Sequence, residues 1–134
     1  MASKKLSAKG VKFVGGTVIG KLATIHKDGT PHLTPVWFRY ENGKFLINTS
    51  EGRVKLNNIR RDKRVALLID DEYEYLLVEG KARIAKERDA LKDIESLAIR
   101  YVGAEQGKRQ VRDYYSKQKR VSIEVNPEKV IESL

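Results

Sequence analysis

Apolar residues along this chain fall into short runs of two different periods, and turn-forming residues separate most of them. Residues 6–14 read as a short helix stopped by Gly15 and Gly16, after which VIGKLATIH (18–26) has the β-branched character of a strand. Asp28-Gly29 supplies a hairpin turn into TPHLTPVWFRY (30–40). That run contains Pro31 and Pro35, which cannot donate to a ladder, so it belongs at a sheet edge or carries a break. Asn42-Gly43 makes a second hairpin turn, leading into KFLINTS (44–50).

The period then changes. Residues 51–62 place Leu56 and Ile59 at helical core spacing, with Ser50 or Thr49 as the expected N-cap. RVALLID (64–70) is apolar on both faces and reads as a buried strand, and YEYLLVEGKARIA (73–85) reads as a long strand interrupted by Gly80. Residues 87–103 set Leu91, Ile94, Leu97, Ala98 and Tyr101 on one helical stripe that Gly103 ends. A polar stretch follows, and RVSIEVNP (120–127) alternates as a last strand closed by Pro127. The expected fold class is mostly β within α+β: about six antiparallel strands with two to four helices, in one domain spanning 1–134.

Charge alters this picture more than composition does. Twenty-seven Lys and Arg against eighteen Asp and Glu leave a net charge of +9, which attracts anionic partners without naming one. Cysteine is absent, which excludes disulfides and thiolate chemistry and leaves His26 and His32 as the imidazole ligands; no metal site is expected. Both histidines read as exposed turn residues. No signal-like or membrane-spanning run stands out, so a soluble, cytoplasmic protein is expected.

The positive charge concentrates in NTSEGRVKLNNIRRDKRV (48–65), which holds Arg53, Lys55, Arg60, Arg61, Lys63 and Arg64. A helix N-terminus offers unpaired N–H groups and a partial positive charge, and Arg53 and Lys55 lie within about one turn of it. With the hydroxyls of Thr49 and Ser50, this set suits a phosphomonoester. Arg60, Arg61 and Lys63 read instead as a solvated face, and Arg64 as a strand-edge charge. Trp37 either lines a planar ligand or packs in the core; Gly80 marks either ligand approach or a bulge. Catalytic residues stay unassigned, because the chain shows no nucleophile motif and no glycine-rich phosphate loop of the familiar types; any redox chemistry would belong to a bound cofactor.

The succession L-A-T-x-x-x-D-G-x-P, T-P-V-W-F, T-S-x-x-R-x-K-x-x-N-I, R-V-A-L and V-E-G-K-A, from about Leu22 to Ala82, resembles the pyridoxamine 5′-phosphate oxidase-like, FMN-binding split-barrel superfamily. Within it the chain looks most like the small FMN- or deazaflavin-dependent branch. The resemblance implies a split β-barrel homodimer with cofactor sites at the subunit interface. It implies that Thr34, Pro35, Val36 and Trp37 face the ring, that Thr49 and Ser50 meet the ribityl and phosphate groups, and that Arg53 and Lys55 bind the phosphate. The implied activity is hydride transfer to or from a small organic substrate, with FMN or the deazaflavin coenzyme F-420. The chain ends at VIESL with no second Trp, where authentic pyridoxamine 5′-phosphate oxidases carry further substrate-binding Trp and Arg positions, so the resemblance does not carry turnover of that vitamin over to this chain. Two other classes compete. A nucleic-acid-binding barrel would stack bases on Trp37, Phe38 and Tyr40, and a non-catalytic protein would hold a flavin without turnover. Tyr73, Tyr75, Tyr114 and Tyr115 are candidates to face the substrate.

Overall fold

Turn chemistry sets the path of the chain. The computed structural model describes residues 4–134, and in it Gly29 (φ +91°) and Asn42-Gly43 (φ +52° and +75°) take the left-handed conformations that tight hairpins need. The elements run α1 (Ala8–Val14), β1 (Gly20–Ile25), β2 (Pro31–Val36), β3 (Arg39–Glu41), β4 (Lys44–Ser50), α2 (Val54–Arg61), β5 (Arg64–Asp71), β6 (Glu74–Ile84), α3 (Ala90–Val102), α4 (Ala104–Asp113), a 3₁₀ turn at Tyr115–Lys117, and β7 (Arg120–Ser133). The strands form a single antiparallel sheet in the order β2-β1-β5-β6-β7-β4-β3.

The two edge strands, β2 and β3, are consecutive in the chain with Trp37 and Phe38 alone between them. Two residues span at most about 7 Å, so the sheet must curl until its edges nearly meet, giving an antiparallel split β-barrel. Its interior is packed by Leu22, Phe38, Phe45, Ile47, Leu67, Leu76, Ile123 and Val125, each at or near zero exposure. Each such side chain contributes about 1.5–3 kcal/mol on burial. The seam is tied from outside by α3. Tyr101 Oη donates to the carbonyl of Val18 (2.9 Å), and Arg100 donates to the carbonyls of Phe38 (3.1 Å), Val14 (3.0 Å) and Gly16 (2.7 Å). One guanidinium thus satisfies the end of α1 and the joint between the edge strands.

Helix α2 is docked by Leu56 and Ile59, both buried, and by Asn58, whose side-chain amide donates to Thr24 Oγ1 at 3.0 Å in the interior. The break expected in the run 30–40 falls at Trp37-Phe38, between β2 and β3, and both are edge strands. Two expectations need correction, and one stretch gains an element. Neither Thr49 nor Ser50 caps α2; the N-cap is Arg53, which makes no side-chain cap bond. Strand β7 continues through Pro127 to Ser133, because Pro127 sits opposite Gly80, where a bulge already breaks the ladder. The polar stretch after Gly103 contains α4, a helix that buries just Gly107 and Val111.

Candidate functional site

The cleft that matters lies where the end of β2 meets the β4–α2 junction. Strand β2 pairs with β1 on one side, and among the described residues its other backbone edge has no strand partner. Pro35, Val36 and Trp37 from this edge, with Ile19 and the α3 residues Ile94 and Leu97, form the apolar end of a cavity of about 360 Å³. Asn48, Thr49, Arg53, Lys55 and Arg120 form its polar end, and Tyr114 and Tyr115 also line it. Trp37 is half-buried, its indole stacked on Tyr101 with centroids 5.4 Å apart and planes 7° from parallel. It therefore packs and lines the cavity at once.

The polar end is a concentration of unmatched charge. Gly52 (φ +92°) turns the chain from β4 into α2, which puts Arg53 and Lys55 at the helix start. Arg120 reaches the same place from β7, where it lies opposite Ser50 in the ladder. Among the described residues, none of these three cations forms an ion pair with a carboxylate, whereas Arg60 pairs with Glu51, Arg64 with Asp62, and Arg83 and Arg88 with Glu124. Burial, then the charges of Arg53 and Arg120, push the Lys55 ammonium pKa down. Burial also lowers Arg120, with Arg53 adding to it while Tyr115 and Tyr114 oppose, although a guanidinium stays protonated regardless. A corner where the half-buried Lys55 and Arg120 meet the exposed Arg53 and an uncapped helix start matches an anion, as a phosphate group would supply.

The expected site residues divide accordingly. Pro35, Val36, Trp37, Thr49, Arg53 and Lys55 line one cavity. Ser50 is buried behind it, its carbonyl accepting from the Arg53 N–H. Thr34 is adjacent to it along β2, and its Oγ1 is buried without a hydrogen-bond partner. Arg120 and Asn48 escaped sequence reading. The signal that finds them is the β4–β7 register, which pairs residues seventy or more positions apart. Of the remaining basic residues, Arg61 donates to the Ile25 carbonyl (2.7 Å) and Asn58 Oδ1 (2.8 Å), so it anchors α2 instead of forming a merely solvated face. Gly80 is a bulge residue. His26 and His32 are half-buried, not exposed, and meet edge to face with ring centroids 4.9 Å apart. The aromatic trio expected to stack bases in a nucleic-acid-binding barrel is not an open platform. Phe38 is fully buried, Trp37 is stacked on Tyr101, and Tyr40 packs against Phe45 at 4.8 Å.

A family model described as "Pyridoxamine 5'-phosphate oxidase" matches residues 6–133. The chain belongs to this family. A curated relative from Mycobacterium tuberculosis (strain CDC 1551 / Oshkosh), named F420H(2)-dependent biliverdin reductase, is 28% identical over 131 residues, covering 96% of this chain and 89% of its own. A solved structure of a conserved hypothetical protein from Mycobacterium tuberculosis is 30% identical, with a TM-score of 0.79 over 97% of this chain and 86% of that one. Another, titled F420 reductase, is 26% identical, with a TM-score of 0.72 over 90% of this chain and 94% of that one. Two of these similar proteins are named for F420.

Proposed function

We propose that this protein is an oxidoreductase using FMN or coenzyme F-420, acting as a homodimer on a small organic substrate. The observation that carries the reading is the pairing, in one cleft, of an apolar wall at Pro35, Val36 and Trp37 with three cations, Arg53, Lys55 and Arg120, that no carboxylate neutralises among the described residues. Arg53, Lys55 and the uncapped start of α2 would hold the phosphate, and Thr49, backed by the buried Ser50, would meet the ribityl chain. The unpaired edge of β2, from Thr34 to Trp37, offers backbone groups to the ring, and Thr34 Oγ1 is a buried hydroxyl still lacking a partner. The bound cofactor, once present, supplies hydride chemistry, so the protein needs no acid or nucleophile of its own for that step. What the chain contributes is binding, orientation and a partly dry wall around the ring.

The relatives named for F-420 support the deazaflavin form of this reading, and the phosphate corner suits FMN equally. Purified protein is expected to be coloured, or to become so on titration with FMN or F-420, and a visible spectrum with mass spectrometry of the bound material distinguishes the two. Failure to bind either at micromolar concentration overturns the proposal. A redox assay with the loaded protein separates turnover from simple flavin holding.

A further inference from the structure

Several cations beside β7 are neutralised. Glu124 alone accepts from Arg83 (2.5 Å) and Arg88 (3.4 Å) and lies 3.8 Å from Lys44. Arg120 is treated differently. Its Nε donates to Asn48 Oδ1 at 2.9 Å and its Nη1 to Gln118 Oε1 at 2.6 Å, both neutral acceptors, and its guanidinium lies 4.8 Å over the Tyr115 ring. These three neighbours fix the plane of the fork while leaving the charge uncompensated and Nη2 without a partner among the described residues. The β4–β7 register then aims it across from Ser50 into the cavity shared with Arg53 and Lys55. Holding a half-buried guanidinium on neutral acceptors beside two more cations opposes folding. An arrangement of that kind is explained by a counter-charge arriving with the ligand.

We infer that Arg120 is a third anion-gripping residue of the phosphate corner, and that Tyr115 is its positioning residue, holding the guanidinium by its face. The inference rests on the cofactor reading above but names residues of β7 and the 3₁₀ turn, outside the Thr34–Trp37 and Thr49–Lys55 segments. It also accounts for the turn at Tyr115–Lys117, which carries the platform against which Arg120 is set.

The test compares FMN with riboflavin, which differs by the phosphate; if the deazaflavin is the form that binds, the pair is the ribityl deazaflavin core with and without a 5′-phosphate, both lacking the glutamate tail of F-420. Arg120→Ala should weaken the phosphorylated ligand by about 10- to 100-fold and leave the phosphate-free ligand unchanged, a split that general damage to the fold would not produce. Tyr115→Leu should weaken the phosphorylated ligand by about three- to tenfold, and Tyr115→Phe should restore it, since the ring face is what matters. Should Arg120→Ala not fold by circular dichroism, Arg120→Gln, which keeps amide donors without charge, takes its place. Equal loss for both ligands, or no loss for either, overturns the inference. If the wild type binds neither cofactor, the oxidoreductase proposal falls separately, and inorganic phosphate becomes the probe. A rise in thermal midpoint with phosphate that disappears in the Arg120 variant upholds the third cation; the same rise in both proteins, or none in the wild type, refutes it.

Discussion

Lys55 shows how the site constrains a single side chain. Its proton is less firmly held than the ordinary lysine value of 10.5 because burial comes first and the charges of Arg53 and Arg120 follow. Between the depressed value and 10.5 the unfolded chain binds more protons than the folded one, so stability of the empty protein rises with pH across that window. Anion affinity runs the opposite way, since the neutral amine no longer attracts phosphate. Chemical denaturation and FMN titration from about pH 7 to 10.5 check both slopes, and both should flatten in Lys55→Met. At neutral pH, Lys55→Ala should cost about 1.5–3 kcal/mol of binding, one charge-assisted contact. Arg100 is the structural counterpart, as its guanidinium serves four backbone carbonyls, at Val14, Gly15, Gly16 and Phe38. Arg100→Ala should destabilise by about 2–4 kcal/mol in urea unfolding, and Arg100→Lys should not recover it, because an ammonium cannot fan across that span.

At the scale of elements, the β6–β7 pair turns on one glycine. A Cβ at Gly80 would sit 2.0 Å from the Asn126 carbonyl oxygen, which is backbone and cannot swing aside. Gly80→Ala should therefore cost about 3 kcal/mol or more, read from the urea midpoint with cofactor absent. The same bulge explains what the pattern of residues could not reveal, namely that Pro127 lies inside a strand; Pro normally ends a ladder, and the ladder here is already interrupted by its partner. Hairpins at Asp28-Gly29 and Asn42-Gly43, strands β1, β4 and β5, and helices α1 and α3 are legible because turn residues and periodicity are local signals. Helix α4 is not, because its contact with α3 runs through Gly107, which is buried by close backbone approach and carries no apolar side chain to mark the face. The cap of α2 departs from expectation for a related reason: Thr49 and Ser50 are good capping types, but both are committed to β4 and to burial. Half the site can be read from one strand end and one helix start; Arg120 and Asn48 depend on a pairing between distant segments.

Across the whole molecule, the charge of +9 is unevenly distributed. Arg60, Arg64, Arg83 and Arg88 are matched by nearby acids, whereas Arg53, Lys55 and Arg120 in the cleft have no carboxylate partner among the described residues. Cofactor affinity should therefore fall with added salt between roughly 50 and 500 mM, by about one Debye-screened interaction per unmatched cation. Isothermal titration at fixed pH measures that slope, which should shrink in Arg120→Ala. Assembly is the other property at this scale. The β2 edge beside the cleft has no strand partner among the described residues, and sedimentation or size exclusion is expected to report a dimer, with dilution below its dissociation constant releasing cofactor as well as subunits. Among the described residues no helix is long and apolar enough to cross a membrane.

The dipeptide Trp37-Phe38 closes the barrel with one residue and walls the cleft with the other. Occupancy of the cleft is consequently expected to damp opening of the barrel at this joint. A ring pressed against the indole would brace the hoop where its staves meet, and amide protons of β3 and of the end of α1, which share carbonyl anchors with that joint, would exchange with deuterium more slowly although neither touches the ligand.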